Sequence, residues 1–136
     1  MADIAGITIR IATDADIVSA RQKGRAMAAQ IGFSPSQATF VATAISELAR
    51  NIVAYAGHGE ITLRAALNGH APAGIEVVAR DEGPGIPNIA DALRDGYSTS
   101  GSLGLGLPGT RRLMDGFEIA SEVGRGTTVR VTKWLR

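Results

Sequence analysis

Four groups of residues have the types and spacing to do chemistry. Glu47 and Asn51 are four residues apart, and on a helix that spacing aims both side chains the same way. A glutamate can serve as a general base, and an amide oxygen is a hard ligand suited to Mg2+. The pair could equally be the polar edge of an amphipathic helix, with Arg50 a solvated charge or a partner for Glu47. Asp81 continues the apolar alternation of Ile75, Val77 and Ala79, and the chain turns at once through Glu82-Gly83-Pro84-Gly85 to Ile86. An inward carboxylate is costly unless it is hydrogen-bonded. It could accept from a ligand amino group, such as the exocyclic amine of adenine, or cap the amides of its own turn. The third group runs from Ser98 to Gly109 and includes Gly101, Ser102, Leu103, Gly104, Leu105 and Gly106 ahead of a helix. Glycines let backbone N–H groups approach an anion, and a helix N-terminus favours negative charge. That reads as a phosphate cradle or moving lid, or as a surface loop. The fourth is Thr127 after Gly124-Arg125-Gly126, which is a hairpin turn or a hydroxyl offered to a ligand.

Other chemistries are excluded. Gly104-x-Gly106-x-x-Gly109 matches the dinucleotide fingerprint literally, but no strand directly precedes it and no βαβ unit surrounds it. The lysines are Lys23 and Lys133, neither after a glycine loop, so there is no Walker A motif. The chain has no cysteine, and its histidines are His58 and His70, which disfavours thiolate and His-based metal sites. A net charge of +1 gives no strong basic field for nucleic acid or a membrane surface. No long apolar run and no basic leader appear, so a soluble cytoplasmic protein is expected. A length of 136 residues fits one domain, 1–136. Glycine is in excess, at 17, and seven of them fall within residues 83–109, interleaved with Asp81, Pro84, Ile86 and leucines rather than with linker residues.

The elements that must position these groups follow from periodicity. Residues 4–12 alternate as a half-buried strand. Thr13 with Asp16 forms a capping box for a helix burying Ile17, Ala20, Gly24, Met27, Ala28 and Ile31 and ending at Gly32. Ser34-Pro35-Ser36-Gln37 opens a second helix, with a stripe of Phe40/Val41, Ala44/Ile45, Leu48/Ala49 and Ile52/Val53, running to about Tyr55. Strands follow over 60–67, with Ile61, Leu63, Ala65 and Leu67 on one face, and over 74–82. A short helix is predicted near 88–95, and another from about Leu105 to Met114. A closing hairpin carries Phe117, Ile119 and Val123 on one strand and Val129 and Val131 on the other. One polar face per strand implies an α+β chain, a largely antiparallel or mixed sheet with helices on one side and water on the other.

The order of the four groups resembles the GHKL ATPase superfamily, with its gyrase, histidine kinase and MutL branches, over residues 40–130. Within it, Ile17-Val18-x-Ala20-Arg21-Gln22, Ala44-Ile45-Ser46-Glu47-Leu48-Ala49-Arg50-Asn51-Ile52, Gly83-Pro84-Gly85-Ile86-Pro87, Ser98-Thr99-Ser100-Gly101 and Lys133-Trp134-Leu135-Arg136 resemble the RsbT-type switch kinases of the stressosome. The resemblance implies a two-layer α/β sandwich of the Bergerat type, and a protein serine/threonine kinase using ATP and Mg2+. Asn51 would hold Mg2+, and Glu47 would be the base or orient the accepting hydroxyl. Asp81 would bind the adenine amine. Gly83, Gly85 and Ile86 would close over the base, and Gly101, Ser102, Leu103, Gly104, Leu105 and Gly106 would form the lid. Thr127 would help hold adenine through water. Arg111 and Arg112 could assist the phosphates or form a solvated helix face. Implied partners are STAS-domain proteins, RsbS-like and RsbR-like, and a PP2C-type phosphatase, RsbU-like. The alternative is a nucleotide-sensing module that regulates partners by sequestration. An intact Glu47 favours catalysis over it.

Overall fold

A computed structural model of the chain describes residues 4–87, 93 and 106–135. The short helix expected near 88–95 (Leu93 apart) and the glycine-rich segment through Leu105 lie outside the described residues. The elements are β1 (Ile7–Ile11), α1 (Asp14–Ile31), α2 (Pro35–Asn51), a π turn (Ile52–Ala56), β2 (Gly59–Asn68), β3 (Ala71–Asp81), α3 (Gly106–Leu113), β4 (Gly116–Glu122) and β5 (Gly126–Trp134). The five strands form one sheet in the order β1-β2-β3-β5-β4. Every described pairing is antiparallel.

Local rules account for the helices. Thr13 caps α1 through a full capping box: its side chain accepts from Asp16 N–H, and the Asp16 carboxylate accepts from Thr13 N–H at 3.0 Å and from Ala12 N–H at 2.9 Å. Gly32 ends α1 with its N–H on the carbonyls of Ala28 and Ala29. Ser34 caps α2 by accepting from Gln37 N–H, and Pro35 takes the first helical position. The buried face of α1 is the expected set, Ile17, Ala20, Gly24, Met27, Ala28 and Ile31.

The core lies between the helices and one face of the sheet. Ile9, Ile11, Ile61, Leu63, Ile75, Val77, Val129 and Val131 meet Val41, Ala44, Ile45 and Leu48 there. The opposite face is open, where Thr8 and Thr62 share a hydrogen bond and Arg64 pairs with Glu76. Among the described residues no helix is long and apolar enough to cross a membrane.

Three stripe residues depart from their expected faces. Leu67 is 56% exposed because a register shift between Ala66 and Leu67 breaks the alternation of β2. Val123 is 66% exposed because it belongs to the turn between β4 and β5. Phe40 is 39% exposed: its ring lies at the edge of α2, with Lys133 Nζ 5.7 Å from its centroid.

Candidate functional site

Strand register builds one end of the site. Gly59 pairs with Asp81, Asp81 with Thr127, and Thr127 with Ser121. Paired residues share a face, so these four form one row across β2, β3, β5 and β4. The row lies two residues beyond Ala79 and Val129, on the core side, where the helical layer gives way to half-exposed space.

Asp81 performs both duties that its position allows. Its Oδ1 accepts from Gly83 N–H at 2.9 Å, which caps the turn, and from Thr127 N–H at 3.3 Å. Its Oδ2 has no hydrogen-bond partner among the described residues. One oxygen therefore fixes the loop and the other can accept from a ligand.

The turn after Asp81 is seated from two sides. A Cβ on Gly83 would lie 2.6 Å from Ala56 Cβ, so only glycine lets the turn close on the π turn. Gly85 has φ +79°, and a Cβ there would collide with the Glu122 carbonyl. Pro84 O accepts from Gly124 N–H at 2.9 Å, and Ile86 N–H donates to Ser121 Oγ at 2.7 Å. Gly83, Gly85 and Ile86 are thus laced onto the β4–β5 hairpin.

Helix α2 supplies the second part. Glu47 is buried at 6% exposure, so its polar-edge reading gives way to an internal carboxylate. Burial of that charge is compensated: Oε1 accepts from Arg50 Nη1 at 2.5 Å, and Oε2 accepts from Gly106 N–H at 3.2 Å. Gly106 begins α3, so the partial positive end of that helix rests on the carboxylate. The amide expected to face phosphate is here donated to Glu47. Asn51 closes α2 half-buried and makes no capping bond to the π turn, which leaves its amide oxygen for another partner. Helix α3 is held at its far end by Lys133 Nζ, which donates to Leu113 O at 2.9 Å.

Glu47 and Gly106 are thus in contact, and Asp81, Gly83, Gly85, Ile86 and Thr127 form a second connected group. The π turn joins them, running from Asn51 to the contact of Ala56 with Gly83. Gly101, Ser102, Leu103, Gly104 and Leu105 lie outside the described residues. Arg111 and Arg112 lie exposed on α3. Sequence reasoning missed Ser121, whose hydroxyl meets Ile86 N, Gly126 O and Thr127 Oγ1. Counting outward from a three-residue turn, Val123-Gly124-Arg125, would have placed it opposite Thr127.

Comparison with known proteins shows the family and the fold. The family described as Histidine kinase-like ATPase domain matches residues 11–133. The serine/threonine-protein kinase RsbT of Bacillus subtilis is 49% identical over 128 residues, covering 94% of this chain and 96% of that protein. An anti-sigma F factor of Thermoanaerobacter sp. is 33% identical over 122 residues, covering 85% of this chain and 83% of the relative. In three dimensions the mycobacterial sensor histidine kinase MprB superposes with a TM-score of 0.55 at 13% identity, covering 96% of this chain and 97% of that one, a likeness of fold. The chain belongs to the histidine kinase-like ATPase domain family and, within it, to the RsbT-type serine/threonine-protein kinases.

Proposed function

We propose that residues 1–136 form one kinase domain that transfers the γ-phosphoryl group of ATP to a serine or threonine of a STAS-domain protein, RsbS-like or RsbR-like, in the cytoplasm. Released from that partner, the kinase binds and activates a PP2C-type, RsbU-like phosphatase. The observation that carries the reading is the placement of Glu47. It is a buried carboxylate held at the junction of α2 and the helix that follows the glycine-rich segment, beside an amide, Asn51, with no capping duty.

The residues divide the work. Asp81 Oδ2 accepts from the adenine amine, and Thr127 adds a second polar group beside it. Glu47 takes the proton of the attacking hydroxyl or orients it, as phosphoryl transfer asks mainly for positioning and charge neutralisation. The oxygen of Asn51 suits a hard cation, and Asn51 would hold Mg2+. When bound, the metal offsets phosphate charge. On this reading, backbone N–H groups of the glycine-rich segment, Gly101 to Gly106, would serve the phosphates when nucleotide is bound.

The test is transfer from labelled ATP to a STAS-domain protein, with and without chelator. Label on the partner's serine or threonine that disappears with chelator is expected. Tight ATP binding without transfer would instead support a sequestering nucleotide sensor.

A further inference from the structure

Among the described residues two charged side chains are buried, Glu47 at 6% exposure and Lys133 at 8%. Both reach the same helix. α3 has eight residues, too few to hold a helix in place without tertiary ties. At its first residue, Gly106 N–H donates to Glu47 Oε2 at 3.2 Å; at its last, the Leu113 carbonyl accepts from Lys133 Nζ at 2.9 Å. The signs match the helix dipole, an anion at the N-terminus and a cation at the C-terminus. Lys133 also lies over the Phe40 ring of α2, with Nζ 5.7 Å from its centroid, so one ammonium from β5 joins α3 to α2.

Stability alone does not account for this ammonium. No carboxylate among the described residues pairs with it, and taking an ion out of water is costly unless a partner offsets the loss. An apolar side chain of like volume would fill the same space. It would not hold one particular carbonyl. The bond to Leu113 O fixes the register of α3 on α2, and a slip of one residue moves a helix about 1.5 Å along its axis. The chain beyond α3 is stitched to β5 without Lys133: Asp115 N–H donates to Thr132 O at 2.9 Å, and Trp134 N–H donates to Asp115 Oδ2 at 2.8 Å. Removing the ammonium therefore leaves α3 attached but frees its placement.

We propose that Lys133 is a positioning residue for phosphoryl transfer: it anchors the far end of α3 so that Gly106 meets the carboxylate of Glu47. It does not act through the base-binding end of the site. Lys133 stands opposite Ile75 and Thr127 opposite Asp81, six positions apart on each strand, or about 20 Å. The inference rests on the reading of Glu47 as the group that takes or orients the hydroxyl proton.

The experiment compares Lys133→Met, of similar volume without the charge, with Lys133→Arg, whose charged donor can also stack on Phe40. The full chain is used throughout. Four quantities are read: chemical denaturation, ATP affinity by calorimetry, amide hydrogen exchange by NMR, and single-turnover transfer to the STAS-domain protein at saturating ATP. Lys133→Met is expected to unfold near the wild-type midpoint and to bind ATP within about threefold of wild type. Exchange at Gly106 should quicken by about tenfold or more, while Gly83 and Thr127 stay as they were. Transfer should slow by about tenfold to hundredfold, the effect of an ångström of misplacement. Lys133→Arg should restore both. Unchanged exchange at Gly106 would overturn the inference, as would transfer within about threefold of wild type. So would a Lys133→Met chain that fails to fold or that loses ATP affinity as much as rate, since Lys133 would then serve the fold alone. Glu47→Gln tells the two levels apart. If it transfers at the wild-type rate, the reading of Glu47 fails and this inference with it. If it is slow while Lys133→Met transfers normally, that reading stands and the inference alone is overturned.

Discussion

Glu47→Gln separates what the carboxylate does for the fold from what it does for chemistry. The wild-type side chain uses both oxygens, one for Arg50 and one for Gly106 N–H. Glutamine keeps one acceptor. Arg50 is the partner that can leave, since its side chain is 40% exposed and can turn to water. The amide oxygen then serves Gly106, whose N–H would otherwise lose its partner. The expected stability cost is that of a partly exposed ion pair, about 1 kcal/mol or less. Glu47→Ala would add an unpaired N–H and a void, about 1–3 kcal/mol more, and could move α3. A loss of transfer in the alanine variant would therefore be ambiguous. In Glu47→Gln the expected result is chemical denaturation near wild type, ATP affinity within about threefold, and phosphotransfer slower by about 10²–10⁴, the range for a lost general base. The assay is single-turnover transfer to the partner at saturating ATP. A rate within tenfold of wild type would refute the catalytic assignment and leave Glu47 as the tether of α3.

Other expectations follow from the same geometry. Asp81→Asn retains an oxygen for Gly83 and Thr127 but replaces Oδ2 by a donor; ATP binding measured by calorimetry should weaken by about 1.5–3 kcal/mol with the fold intact. Asn51→Ala should abolish Mg2+-dependent transfer, and normal transfer by that variant would remove the metal assignment. Gly74→Ala places a Cβ on the Lys133 carbonyl and 2.9 Å from the Trp134 ring, at the opposite end of β3 from Asp81. It should cost about 1–3 kcal/mol in denaturation while ATP affinity of the folded protein is unchanged. Asp16 is held below the ordinary aspartate value of 3.8, chiefly by the N–H of Ala12 and with help from Thr13. A lowered carboxyl contributes stability above its unfolded value and loses it as pH falls through the folded value. Asp16→Asn should therefore be less stable than wild type at pH 7, with the gap closing below about pH 4 in denaturation series.

What could be read from the chain was what short-range rules decide. Thr13, Asp16, Ser34 and Pro35 act within one helical turn, so their caps follow from residue type and spacing. The buried set of α1 follows from a 3.6-residue period imposed by a single neighbouring layer. Leu67 escaped the same logic because a bulge is a fact about two strands, and the string of β2 alone carries no sign of it. The apolar stripe of the second helix predicts a continuous helix to about Tyr55. Instead it widens into a π turn, which ends where Ala56 meets Gly83, a residue far along the chain. Ser121 was invisible to motif reading for a related reason. Its role comes from standing opposite Thr127 and under Ile86, which register and loop seating determine together.

The placement of the cations turns the chain's near-neutrality into a constraint on how phosphate is held. Lys133 is buried among α2, α3 and β5, giving its proton to Leu113 O beside the Phe40 ring. Lys23 lines a cavity of about 860 Å³ with Ile4, Ile7, Met27, Ala71 and Pro72, at the β2–β3 hairpin end, away from Asp81. Arg50 is paired with Glu47. Lys133 and Arg50 are thus engaged, and Lys23 lies away from Asp81. On the proposed reading, phosphate charge would be met by backbone N–H groups, by a metal at Asn51, and by what Arg111 and Arg112 can add from α3. The bond from Gly106 N–H to Glu47 gives this a consequence. An amide that turned from Glu47 to a phosphate oxygen would free Oε2 at the moment the nucleotide is engaged. The N–H groups that neutralise phosphate and the carboxylate that accepts the proton would then compete for one hydrogen bond, and nucleotide binding would resolve the competition in favour of transfer.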